Sequence, residues 1–207
     1  MTSVPQELPY LALGDSYTIG EAVAADACWP EVLVQRLRQA GLAPGDPRIV
    51  AVTGWTTDDL AQGMDEAALA PGYDLVTLQI GVNNQYRGRS AADYREQFAG
   101  LLARAIQLAR GRPGRVVVVS IPDWGVTRFA REQGRDPALV GRELDAYNAI
   151  AAQASRDAGA HFVDITGVSR QHPDLLAADG LHPAAAQYGL WTELIEPVVR
   201  VALHSTR

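Results

Sequence analysis

A chain of 207 residues, 47% hydrophobic and 20% charged, can bury about 70% of its unfolded surface, so one globular domain over residues 1–207 is expected. A net charge of −6 argues against a nucleic-acid partner, which calls for a basic face, and no apolar run nears the roughly 20 residues of a membrane span. The single cysteine, Cys28, excludes an internal disulfide, and the opening MTSVPQELPY lacks the basic and apolar regions of a signal peptide, which points to a cytoplasmic location.

The first predicted strand, YLAL (10–13), runs directly into GDSYT. A helix follows in which Trp29, Val32, Leu33 and Leu37 share a face. The second strand, RIVAV (48–52), leads into TGWTTDD, where the Thr56–Asp59 spacing marks a helix start. The third, DLVTLQI (74–80), leads into GVNNQYRG, and Ser90 with Asp93 marks the next helix, whose apolar face holds Phe98, Leu101, Leu102, Ala105 and Ile106. The fourth, RVVVVS (115–120), opens onto a long connection, 122–138, before a helix with Val140, Leu144, Tyr147 and Ile150 inward. The fifth, HFVDI (161–165), reaches ADGLHPAA by a longer path. In the last helix Trp191, Leu194, Ile195, Val198, Val199 and Ala202 align, and Pro197 is expected to kink or divide it.

Strands two to four do not alternate with polar residues, as expected when both faces are covered. Strand–helix alternation predicts a parallel sheet between helical layers, with chemistry outside the carboxyl ends of the strands. The residues there form a set. Asp179 and His182 stand three apart, a spacing at which a carboxylate can accept the Nδ1 proton and leave Nε2 as a base, although the same stretch also reads as a plain turn before a helix. Pro183 fits the first position of that helix. Ser16 becomes a nucleophile only with such a base; otherwise GDSYT is a turn, a helix cap or a phosphate cradle. Gly54 and Asn83 are ordinary turn residues in isolation, but a backbone N–H and a side-chain amide are also the donors an oxyanion needs. Each of the four falls after a different strand.

Together Gly14-Asp15-Ser16-Tyr17, Gly54, Gly81-Val82-Asn83-Asn84 and Asp179-Gly180-Leu181-His182-Pro183 resemble the blocks of SGNH hydrolases, the GDSL esterases and lipases, in order and spacing over nearly the whole chain. The resemblance implies a flavodoxin-like, three-layer α/β/α domain with a five-stranded parallel sheet. It implies Ser16 as nucleophile, His182 as base, Asp179 as its orienting acid, and the Ser16 N–H, Gly54 N–H and Asn83 side chain as oxyanion hole, with neither metal nor organic cofactor. Tyr17 stands where the family has leucine, and Asn84 where it has an aspartate expected to brace neighbouring loops.

The expected reaction is hydrolysis of a small-molecule carboxylic ester, with short acyl or acetyl groups favoured because nothing resembles a large apolar lid. Tyr17, Trp55, Asn84, Trp124, Val126 and Phe129 are the candidate substrate contacts; Arg128 or Arg131 could meet an anionic substrate, but both read first as solvated surface arginines. An acyl-CoA thioesterase or a lysophospholipase-type hydrolase would use the same groups. A nucleotide- or flavin-binding module is the non-enzymatic alternative; it lacks a G-x-G-x-x-G or Walker pattern and leaves Asn83, Asp179 and His182 without a role. His161, His172 and His204 have no acid at useful spacing and read as structural or solvated.

Overall fold

The computed structural model describes residues 7–204. Five parallel strands, β1 (Tyr10–Gly14), β2 (Arg48–Ala51), β3 (Leu75–Gln79), β4 (Val116–Val119) and β5 (His161–Val163), form one sheet in the order β2-β1-β3-β4-β5. That is the flavodoxin-like order, in which the chain winds one way from β1 to β2 and the other way from β3 onward. The switch lies between β1 and β3. The predicted strands all exist, trimmed or extended by one or two residues at their ends. β1, β3 and β4 are buried along their whole length, as the lack of alternation in the third and fourth runs implies. The second run, expected to be covered on both faces as well, is not: β2 is the edge of the sheet and is partly exposed.

The helices are α1 (Ser16–Ile19), α2 (Trp29–Gln39), α3 (Thr57–Glu66), α4 (Val82–Tyr86), α5 (Ala91–Leu108), α6 (Arg128–Glu132), α7 (Pro137–Ala158), α8 (Thr166–Gln171) and α9 (Ala185–His204). α2 packs with α9, while α3, α5 and α7 pack together. This gives the expected three layers. Both predicted helix starts are present: Asp59 Oδ2 accepts the Thr56 N–H at 3.0 Å before α3, and Ser90 Oγ accepts the Asp93 N–H at 3.0 Å before α5. Trp29, Leu33 and Leu37 of α2 and Trp191, Ile195 and Val199 of α9 are buried.

Four further expectations need correction. Pro197 neither divides nor ends α9, which runs unbroken from Ala185 to His204. The proline is exposed, as is Glu193 four residues earlier, so water can take the carbonyl that loses its partner. Leu194 lies on the solvent side of that helix, 44% exposed. Pro183 is not the first residue of α9: it is bridged to Leu176, and the helix opens at Ala185, just after Ala184, whose carbonyl accepts from Gln187 and Tyr188. Finally, 122–138 is no open loop. A 3-10 turn over Trp124–Val126 and the helix α6 fold it back, each capped by a side chain, Asp123 on the Gly125 N–H and Thr127 on the Ala130 N–H.

Candidate active site

Ser16 is the first residue of α1, directly beyond the carboxyl end of β1. Asp15 caps this short helix, its Oδ1 accepting the Tyr17 N–H at 3.0 Å. Asp15 is almost completely buried, with no ion-pair partner among the described residues, and burial pushes its pKa up to about 7 against the pull of two backbone N–H bonds. The hydroxyl of Ser16 faces a residue from the far end of the sequence: His182 Nε2 lies 3.0 Å from Ser16 Oγ.

The turn that carries His182 is tied at several points. The Gly180 N–H bonds the Ala177 carbonyl at 3.0 Å, and the Ala177 N–H bonds the His182 carbonyl at 2.8 Å. Gly180 has φ +72°, a conformation that other residues adopt only at a cost. Asp179 Oδ1 accepts the N–H of Leu181 at 2.9 Å and of His182 at 3.0 Å, leaving Oδ2 free to meet His182 Nδ1 at 2.6 Å. Partial burial works against the Asp179 anion, but the bond with the imidazole and the two N–H donors outweigh it and hold this carboxyl below its usual range. Tyr17 packs its ring edge-to-face on His182, centroids 5.7 Å apart, and on Trp191 at 6.1 Å. The imidazole is thus oriented by a carboxylate on one side and by an aromatic ring on another.

The two remaining candidates come from β2 and β3. Gly54 has φ +85°, and its carbonyl accepts from Arg87 Nη2 at 2.7 Å. Asn83, in α4, donates from Nδ2 to the Trp55 carbonyl at 2.9 Å, which leaves the second hydrogen of the amide uncommitted by that bond. As the first residue of its helix, Ser16 has an N–H with no helical acceptor.

Beside these groups lies a cavity of about 210 Å³ lined by Ser16, Tyr17, Val82, Asn83, Tyr86, Trp124, Phe129, Leu181 and His182. Its walls are mostly apolar. A larger groove of about 760 Å³ lies between α5 and α7, among residues such as Leu102, Ala103, Ile150 and Ala154; its lining includes none of the candidate site residues. Of the candidate substrate contacts, Tyr17, Trp124 and Phe129 line the smaller cavity. The other three do not. Trp55 turns its indole onto the bare backbone of Gly63 in α3. Val126 lines a narrow adjoining crevice with Pro173 and Pro183. Asn84 is fully buried and braces α3, its Oδ1 accepting the Thr57 N–H at 3.0 Å and its Nδ2 donating to Thr57 Oγ1 at 2.6 Å.

Sequence reasoning missed Val82, Tyr86 and Leu181 as pocket residues. Val82 and Tyr86 are one helical turn apart, a pairing visible once GVNNQY is read as a helix start instead of a loop. Trp124 is held from behind: its Nε1 donates to Gln85 Oε1 at 2.8 Å, and Gln85 Nε2 donates to Glu143 Oε2 at 2.7 Å. Among the described residues no group of three or more His, Cys, Asp or Glu is placed to hold a metal, and no helix is long and apolar enough to cross a membrane.

Comparison with known proteins bears on family and fold. The model of the GDSL-like lipase/acylhydrolase family matches residues 12–190. Among solved structures, the chain is similar to the protein TesA (TM-score 0.74, 18% identity, 96% of this chain and 100% of that one). It is also similar to the psychrotrophic esterase EstA from Pseudoalteromonas sp., solved inhibited by monoethylphosphonate (TM-score 0.71, 16% identity, 93% and 96% covered). A third is the acetyl xylan esterase Axe2 from Geobacillus stearothermophilus (TM-score 0.69, 20% identity, 93% and 94% covered). At these identities the likeness is one of fold. Comparison with curated protein sequences gave no match. With the family model spanning most of the chain, the protein belongs to the GDSL-like lipase/acylhydrolase family and is a carboxylic ester hydrolase.

Proposed function

We propose that the protein hydrolyses carboxylic esters of short acyl chains by a two-step acyl transfer on Ser16. The observation that carries this reading is the unbroken chain Asp179 Oδ2, His182 Nδ1, His182 Nε2, Ser16 Oγ, with contacts of 2.6 and 3.0 Å. Ser16 Oγ attacks the acyl carbon as His182 Nε2 takes its proton. Asp179, held as the anion, fixes the tautomer and stabilises the imidazolium. The N–H groups of Ser16 and Gly54 and the free hydrogen of Asn83 Nδ2 receive the oxyanion. His182 then protonates the departing alcohol, and water repeats the cycle to release the acid.

The short-chain preference rests on a cavity of only about 210 Å³ closed by the Tyr86, Trp124 and Phe129 rings. Thioesters of coenzyme A and lysophospholipids require the same groups, so a panel of substrates separates them. Labelling with a fluorophosphonate probe tests the nucleophile: labelling of the wild type and none of Ser16→Ala is expected, and labelling that persists in Ser16→Ala overturns the assignment. A series of p-nitrophenyl esters tests the chain length, with kcat/KM expected to peak at acetyl to butyryl. A peak at long chains overturns that part.

A further inference from the structure

We propose that Arg135 makes this pocket selective for esters whose acyl chain ends in a carboxylate, a class that the neutral short-chain reading does not specify. The inference rests on the ester-hydrolase reading and names its acyl group. Arg135 sits in the connection between α6 and α7, and its guanidinium carbon lies 5.1 Å from the centroid of the Tyr86 ring and 5.8 Å from that of Trp124. Those two rings meet edge-to-face at 5.4 Å, and both line the cavity that holds Ser16. Tyr86 is 41% exposed, so this wall reaches the solvent, and the exposed Arg135 lies against the same two rings.

A guanidinium held over ring faces by cation–π attraction need not spend its N–H donors on protein acceptors. Those donors fit a carboxylate in two parallel bonds. Neighbouring arginines are committed otherwise. Arg128 donates to the Ala178 carbonyl and lies 3.7 Å from Glu132, Arg131 donates to the Val126 carbonyl, and Arg87 donates to that of Gly54. Only the backbone N–H of Arg135 is spent, on the Ala130 carbonyl at 3.0 Å, and among the described residues no carboxylate lies within ion-pair distance of its side chain. Val82, Phe129 and Leu181 line the same cavity with apolar side chains, as a methylene chain requires. The whole chain carries −6, so an anionic substrate gains nothing from overall charge, and a local cation must admit it.

The reaction is the ordinary one. The ester C–O bond breaks, water supplies the new C–O bond, and the products are an alcohol, a dicarboxylate and one proton, which a pH-stat records. Matched pairs decide the matter: monomethyl succinate, glutarate and adipate against methyl butyrate, valerate and hexanoate, with wild type, Arg135→Gln and Arg135→Lys. In the wild type, kcat/KM for the best monoester should exceed that of its neutral partner about 10-fold, through KM, and the excess should shrink with added salt. Arg135→Gln should abolish the ratio, and Arg135→Lys should keep part of it. A neutral partner that is preferred, or a ratio that Arg135→Gln leaves intact, overturns the proposal. Acetyl 4-hydroxybutyrate carries the carboxylate on the alcohol side, and a preference confined to it overturns the acyl assignment. If no ester is cleaved and Ser16 is not labelled, the hydrolase reading fails separately. Calorimetric titration of glutarate then decides: binding lost in Arg135→Gln sustains the anion site, and no binding to the wild type overturns it.

Discussion

Replacing Asp15 by asparagine should stabilise the protein at neutral pH, and the gain should vanish in acid. Asp15 is 1% exposed and faces two backbone N–H groups but, among the described residues, no cation. Burial disfavours its anion and lifts the pKa from 3.8 to about 7. The sign follows from proton binding. Between these two values the folded protein keeps the proton that the unfolded chain has lost, so stability is complete below about pH 4 and falls as the pH rises, levelling off above about 7. Three units at about 1.4 kcal/mol each amount to roughly 4 kcal/mol, a large part of the 5–15 kcal/mol that holds a domain together. Asparagine has the same shape and keeps an oxygen to accept the Tyr17 N–H, but it cannot ionise. Urea unfolding of both proteins, from about pH 4 to pH 8, reads the difference directly because every other group titrates in both. The stability of Asp15→Asn relative to wild type should climb by roughly 4 kcal/mol across that range, mostly between pH 4 and 7. A difference that stays flat with pH would refute the reasoning, since the carboxyl would then be as well solvated folded as unfolded.

Two further variants address the machinery around it. Asn83→Ala should lower kcat by on the order of 10²–10³ with little change in KM, since an oxyanion donor acts mainly in the transition state; steady-state kinetics on p-nitrophenyl acetate measure it, and an unchanged kcat removes Asn83 from the mechanism. Asn84→Ala should lower stability by about 1–3 kcal/mol in urea unfolding, because it strands the buried Thr57 N–H, and a change well below this range would mean that water replaces the amide.

The parts of the site that were legible are those where backbone and chemistry coincide. A strand buried on both faces is written as an apolar run, and the residue beyond its carboxyl end has to turn, so Ser16, Gly54 and Asn83 announce their rim positions by following β1, β2 and β3. Asp179 and His182 are legible because a single turn fixes their relation without help from the rest of the chain. Directions of large side chains were not. Trp55 could equally face the cavity or α3, and only the open face of Gly63 decides for the latter. Tyr86 enters the cavity wall because α4 starts at Val82, a helix of five residues too short to leave a periodic signal. The 122–138 segment looked like a loop because its two short turns are held by single caps, Asp123 and Thr127, instead of by an apolar stripe. Asn84 is an intermediate case: bracing was foreseen from the aspartate it replaces, but its burial in α3 contacts excludes it from the cavity wall.

The fold also explains why one short helix carries so many of these contacts. From α4 and the residue after it, Asn83 latches the Trp55 carbonyl, Asn84 latches both polar atoms of Thr57, and Arg87 latches the Gly54 carbonyl. The segment after β2 is therefore fastened to the segment after β3 by four side-chain bonds, across the point where β1 lies between them. Donors aimed at a developing charge contribute most when they need not move to meet it. Gly54 has no side chain with which to hold itself in place, so its backbone takes its position from Arg87 and, one residue on, from Asn83. In the proposed mechanism Asn83 therefore does two things with one amide, holding the loop with one hydrogen and offering the other to the oxyanion. The loss expected in Asn83→Ala thus includes the release of Gly54, and Arg87→Met, which frees the Gly54 carbonyl but leaves the Asn83 amide intact, separates the two contributions.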